Sequence, residues 1–177
     1  MDNILTTLMS LGGVISHIFI LFMIIMIFAN KGEIVKKFFG KYGVHFSFLI
    51  SLAALLGSLY YSEIVGFEPC LLCWYQRIFA YPIVFILALA IHRKDLYAIP
   101  YSILLAVFGG IIALYHTFIQ ISPPAEAFCG INSTTSCTEL YFLKFGYITI
   151  PALSLTVFAL VILLLFLSNK YKEEVFK

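Results

Sequence analysis

The sequence predicts an all-α membrane protein: a four-helix transmembrane bundle with one extra transmembrane helix at its N-terminus. Of its 177 residues 62% are hydrophobic and only 11% charged, with a mean hydropathy of +1.03. A soluble domain of this size has too little interior to hide that much apolar surface. Long charge-free runs recur along the chain, and the basic residues cluster in alternate connections between them. Together these features predict five spans.

The first span occupies Ile4 to Asn30 and the second Tyr42 to Ser62. Each exceeds the roughly 20 apolar residues that cross a hydrocarbon core. Arg77 interrupts the third, and the stretch from Ile78 to Ile91 supplies only 14 residues. Its helix must therefore begin near Cys70 or Leu71, which sets Arg77 inside the membrane-embedded part. The fourth and fifth charge-free runs are Leu96 to Ala125 and Phe145 to Asn169. The predicted domains are 1–30, an added helix, and 42–169, the bundle.

Charge sets the expected orientation. Lys31, Lys36, Lys37, Lys41, Arg93, Lys94, Lys170, Lys172 and Lys177 are nine of the eleven Lys and Arg residues, and all fall on one side of the five-span scheme. The positive-inside rule makes that side cytoplasmic and puts the C-terminus there. The segments Tyr61–Leu72 and Gln120–Gly146, with all the cysteines, then lie at or near the opposite, extracytoplasmic face. No basic residue precedes Lys31, so the first span lacks the charged start of a cleavable signal peptide. A net charge of only +2 gives nucleic-acid binding no support. The chain carries no Gly-rich phosphate loop and no CxxCH or HExxH motif.

The chemistry-bearing stretch is Cys70-Leu-Leu-Cys73-Trp-Tyr-Gln-Arg77. Two cysteines three apart close a small disulfide and reopen it by thiolate exchange. Pro69 suits a helix start. The unsatisfied N–H groups of that start, at the positive end of the helix dipole, favour a thiolate. Arg77 lies four residues beyond Cys73, on the same face and one turn deeper. Its fixed charge lowers the thiol pKa further and can hold a quinone oxygen or a developing anion. An arginine within a span is a functional candidate because burying it costs a few kcal/mol; snorkelling to an aromatic belt of Trp74 and Tyr75 is the plainer reading. His116 is of the residue type that can donate a proton in quinone reduction, or is an interfacial histidine bonded to a carbonyl. His17, His45 and His92 show no pairing and read as structural.

Cys129 and Cys137 form the second close pair, with seven residues between them. So small a ring contributes about 2–3 kcal/mol to stability, in line with a pair kept for exchange. Gly130 and Ser133-Thr-Thr-Ser136 suit a reachable loop. A structural disulfide and a tetrathiolate zinc site remain open readings of the cysteines, the latter disfavoured in an oxidising space. Glu139–Tyr147, short and aromatic-rich, reads as an interfacial helix or an ordinary loop.

Glu68-Pro-Cys-Leu-Leu-Cys-Trp-Tyr-Gln-Arg77 resembles the active-site motif of DsbB-type disulfide bond formation proteins, particularly the short Gram-positive form. The resemblance runs from about Tyr42 to Asn169 and includes Leu114-Tyr-His-Thr-Phe-Ile-Gln120 and Phe145-Gly-Tyr-Ile-Thr-Ile-Pro151. It implies a thiol:quinone oxidoreductase in the bacterial cytoplasmic membrane, using ubiquinone or menaquinone. The implied partner is an extracytoplasmic thioredoxin-like thiol oxidase of the DsbA type. Cys73 would react with quinone beside Arg77 and His116, and Cys70 would be its disulfide partner. Cys129 would take the mixed disulfide with the incoming protein, and Cys137 would pass electrons toward Cys70. The segment Ile4–Asn30 lies outside the resemblance. Vitamin K epoxide reductase-like proteins share these parts, but there the loop pair precedes the CxxC. A conduit for cytoplasmic reductant would need cysteines near Lys36 or Lys94, where there are none.

Overall fold

The computed structural model describes residues 4–29, 32–121, 136–138 and 140–175. Five helices account for most of them: α1 (Ile4–Phe28), α2 (Glu33–Leu59), α3 (Leu71–Arg93), α4 (Ala98–Ile121) and α5 (Ile150–Lys170). Each is long and apolar enough to cross a membrane, as expected of a multi-pass membrane protein. In hydrocarbon the backbone must satisfy its own hydrogen bonds, which favours unbroken helices. Among the described residues the only β-type pairing is an isolated bridge between Lys144 and Ile148.

One boundary differs from expectation, and a second segment takes one of its two expected forms. Helix α2 starts at Glu33, well before Tyr42, so Lys36, Lys37 and Lys41 ride on its first turns instead of a loop. Lys36 is buried there, with Nζ 3.2 Å from Glu33 Oε2 one turn back. The second concerns Glu139–Tyr147, where Glu139 lies outside the described residues and the rest is no interfacial helix. Lys144 and Ile148 exchange backbone hydrogen bonds of 3.0 and 2.9 Å. Phe145 and Gly146 take left-handed φ values of 54° and 78°. Gly146 makes that turn accessible, and α5 begins only after it, with Pro151 in its first turn.

Helices α2, α3, α4 and α5 form the bundle, each packed on the next and α5 closing back on α2. Lipid offers no hydrophobic drive between helices, so small residues that let backbones approach are the means of association. On α2 the buried stripe is Gly40, Gly43, Ser47 and Ser51. On α4 it runs Ser102, Ala106, Gly109, Ala113 and ends in His116. The Ser168 hydroxyl donates to the Gly40 carbonyl at 2.8 Å. Helix α1 packs outside the ring, against α5, with a ring contact to α2 at Phe19 and Phe39, and leaves Ile4, Leu8, Ile15 and Ile18 exposed as a lipid-facing surface.

The α2–α5 packing is tight at Gly43, where an added Cβ would stand 2.6 Å from the Leu164 carbonyl oxygen. That neighbour is backbone and cannot swing aside. Gly43→Leu is therefore expected to destabilise the bundle by at least about 1–3 kcal/mol through overpacking. Thermal unfolding in detergent reads this directly, and an unchanged Tm would contradict the close seam.

Candidate redox site

Helix α3 begins at Leu71 with Cys70 as its N-cap, at φ −66° and ψ 170°. The Cys70 sulfur accepts the Cys73 N–H at 3.4 Å, the position usually taken by a serine or aspartate oxygen. The loop before it is braced by aromatic rings. Tyr61 stacks on Phe67 at 5.5 Å and Phe67 on Tyr141 at 4.4 Å, while the Tyr141 hydroxyl donates to the Glu68 carbonyl at 2.6 Å.

Cys70 and Cys73 are free thiols, 2.9 Å apart at sulfur. Cys70 is buried, and its sulfur lies 3.7 Å from His116 Nε2. The same Nε2 is 3.1 Å from the Cys137 carbonyl oxygen. A carbonyl only accepts, so Nε2 carries the hydrogen. On the far side of the ring, Nδ1 lies 2.9 Å from the Gln76 amide nitrogen and accepts from it. Gln76 thereby fixes the tautomer and aims the Nε2–H at both Cys70 and Cys137. The contact with the Cys73 sulfur, followed by His116, draws the Cys70 thiol well below the ordinary thiol range, against the opposing effect of burial.

Arg77 sits one turn further along α3. Its Nε donates to the Ser58 hydroxyl at 3.0 Å and its Nη2 to the Ser58 carbonyl at 3.2 Å, while Tyr81 donates to the same hydroxyl at 3.3 Å. The guanidinium also lies 5.2 Å from the Trp74 ring centroid, within cation–π range. Ser58 precedes a wider π-helical turn at Tyr60–Ile64, a feature common at functional sites.

These groups open onto one largely apolar cavity of about 170 Å³, between the cysteine-bearing ends of α2, α3, α4 and α5. Cys70, Cys73, Gln76, Arg77, His116 and Cys137 all line it. An apolar engineered cavity of about 150 Å³ takes benzene, so one aromatic or quinonoid ring is the right size of occupant.

Of the residues singled out in the sequence, Cys70, Cys73, Arg77, His116 and Cys137 thus meet at one cavity. Cys129 lies outside the described residues. Cys137 is buried and disulfide-bonded, which removes it from a tetrathiolate metal set. It belongs to the same small buried cluster as Cys70, with Leu72 and Ile119. Sequence reading missed Gln76 and Ser58. Gln76 is three residues beyond Cys73, a spacing that already put it on the cysteine face. Ser58 carried no signal, since its partner lies 19 residues away on another helix. His17, read as unpaired, in fact bonds the Thr156 hydroxyl at 2.7 Å, with the Tyr147 hydroxyl at 3.4 Å.

Comparison with known proteins places this geometry in context. Residues 41–168 match the family model described as disulfide bond formation protein DsbB. The SPbeta prophage-derived disulfide bond formation protein B of Bacillus subtilis is 42% identical over 131 residues, covering 72% of this chain and 88% of the relative. The probable disulfide formation protein C 1 of Bacillus anthracis is 43% identical over 132 residues, covering 75% and 95% respectively. Disulfide bond formation protein C of Bacillus subtilis is 42% identical over 131 residues, covering 72% and 93%. No solved structure matches the chain.

Proposed function

The chain belongs to the DsbB family of disulfide bond formation proteins, and on that footing we propose that it is a thiol:quinone oxidoreductase. Disulfide formation is the role its family membership carries. The finer reading is that it reoxidises an extracytoplasmic thioredoxin-like thiol oxidase and passes the electrons to ubiquinone or menaquinone. The observation that supports this best is His116, whose Nε2 touches both the Cys70 sulfur and the Cys137 carbonyl at the wall of the Arg77 cavity.

Two electrons and two protons move in each cycle. The partner's thiolate attacks the loop disulfide at Cys129, and the partner leaves oxidised. The loop thiols then reduce the Cys70–Cys73 disulfide by exchange, Cys137 attacking at Cys70. Free Cys70 and Cys73 beside a disulfide-bonded Cys137 are the groups this exchange would use. A bound quinone supplies the two-electron, two-proton sink that restores the Cys70–Cys73 disulfide. The cavity fits its ring in size and polarity. Arg77 presents a fixed positive charge there, Cys73 a sulfur, and His116 a hydrogen on Nε2 held in place by Gln76.

Sidedness belongs to the same proposal. The Tyr171 hydroxyl donates to Glu33 Oε1 at 2.7 Å, so the end of α5 and the start of α2 meet at the lysine-rich end, opposite the cysteines. The positive-inside rule supports that end as cytoplasmic, in a bacterial cell membrane. The test is anaerobic reduction of ubiquinone and of menaquinone by the purified protein, driven by a reduced thioredoxin-like protein or a small dithiol. Turnover with one or both is expected. Failure with both, from folded protein with oxidised cysteines, would return the cysteines to a structural role.

A further inference from the structure

Cys70, Cys73 and His116 bring one ligand atom each to the wall of the redox cavity, all three within 4.8 Å of one another. The Cys70 sulfur is 3.7 Å from His116 Nε2. Around a tetrahedral zinc ion with ordinary Zn–S and Zn–N bonds, a sulfur and an imidazole nitrogen stand about 3.6 Å apart. Two sulfurs stand about 3.8 Å apart in the same geometry, whereas the free thiols are 2.9 Å apart. A swing of the half-buried Cys73 side chain by about 1 Å closes that difference.

The groups behind the ligands suit a metal as well. The Cys70 sulfur accepts the Cys73 N–H at 3.4 Å at the first turn of α3, a setting that favours a thiolate. Gln76 lies behind His116, 2.9 Å from Nδ1, and a metal-bound histidine almost always donates its other ring N–H to such a partner. Binding moves the hydrogen of His116: Nε2 gives it up to become a ligand, and Nδ1 carries one instead. Gln76 meets the change by turning its amide over, since Oε1 accepts where the amide nitrogen donated. The Cys137 carbonyl loses its hydrogen bond from Nε2 in exchange. Sulfur and imidazole donors select a borderline-soft cation over calcium or magnesium. Two thiolates also cancel the charge of one divalent ion. The centre is then neutral, as a largely apolar cavity that already holds Arg77 requires.

We propose that the dithiol state binds one Zn²⁺ through Cys70, Cys73 and His116, with water from the cavity in the fourth position. The thiol protons leave to solvent as the metal enters, and no electrons move. The site exists only while both thiols are reduced, because a Cys70–Cys73 disulfide leaves no thiolate to ligate. It differs from a tetrathiolate in needing His116 and neither loop cysteine. Binding requires no quinone and stands apart from the proposed function. Given that function, Zn²⁺ holds the enzyme in its reduced state, with no free sulfur to pass electrons on.

The test is anaerobic titration of the reduced full-length protein with Zn²⁺ against a chromophoric chelator, after the reductant has been removed. Wild type should bind one equivalent, and so should Cys129→Ser/Cys137→Ser, which lacks the loop thiols. Cys70→Ser keeps a good N-cap residue and should bind none, as should wild type with its cysteines oxidised. His116→Ala is expected to weaken binding by at least about a hundredfold, and Gln76→Leu by about tenfold, the scale of a lost partner behind a ligating histidine. Cd²⁺ bound to wild type gives a thiolate-to-metal absorption band whose intensity counts the sulfurs, and two are expected. That count keeps the test valid should the loop variant misfold, because four sulfurs would overturn the site. Loss of metal from a folded loop variant would overturn it too. Unchanged affinity in His116→Ala, in Cys70→Ser or in the oxidised protein would do the same. None of these readings involves quinone reduction, so their failure would leave the proposed function standing.

Discussion

Cys73→Ala is expected to stop dithiol-driven quinone reduction, with a loss of at least about a thousandfold, as for removal of other reacting nucleophiles. Cys70 would keep its place at the N-cap and its contact with His116, because neither depends on the Cys73 side chain. Its other hydrogen-bond donor, the Cys73 N–H, belongs to the backbone and also survives. In this variant the Cys70 thiolate can still attack the oxidised loop at Cys137, releasing the Cys129 thiolate, but no Cys73 thiol remains to resolve the new bond. A Cys70–Cys137 bond would accumulate, visible by mass spectrometry of the non-reduced protein. Turnover near the wild-type rate would remove Cys73 from the chemistry. Loss of turnover with no trapped bond would instead mean that Cys137 does not exchange with Cys70.

The second large effect is expected at Arg77. Its guanidinium is aimed by two bonds to Ser58 and shares the cavity with Cys73. Arg77→His shortens the side chain and breaks that fork, so kcat/KM for quinone should fall by about a hundredfold, the scale on which a preorganised charge acts on a developing anion. Reduction of the loop disulfide by the thiol donor should be unchanged, because that exchange needs neither the quinone nor the guanidinium. Arg77→Lys keeps a charge but not the planar donors, and should fall between the two. If quinone kinetics were unaltered in Arg77→His, the guanidinium would have only its structural bonds to Ser58.

Much of this architecture was legible in the residues before any coordinates. Spans were readable because membrane length and charge exclusion act on contiguous sequence, and Arg77 forced the third helix to begin near the cysteines. Cys70, Cys73 and Arg77 were readable because helical spacing puts them on one face. What the sequence concealed is lateral. Nothing in Ser58 announces an arginine partner on the next helix, and nothing in Gln76 alone says that it holds His116 in one tautomer. Whether Cys137 lies near Cys70 was equally hidden, since a loop's resting place depends on what it packs against. The start of α2 was misplaced for a related reason. Lysines mark the edge of the hydrocarbon, and a helix need not end there when one of them can bury its stem beside Glu33.

The contact at Gly43 has a mechanical consequence for the opposite end of the molecule. Backbone meets backbone-bound space there, so α2 and α5 can neither close further nor slide freely, and the point acts as a fulcrum. From Gly43 to Ser58 along α2 is about 22 Å at helical rise. Over that arm, a tilt of about 3° displaces Ser58 by about 1 Å, enough to break its hydrogen bonds to Arg77. Glu33, at the lysine-rich end and about 15 Å from the same point, would move about two thirds as far. Small changes in the angle between these two helices are thus felt more at the cavity than at the lysine-rich end, and they act on the serine that aims the arginine.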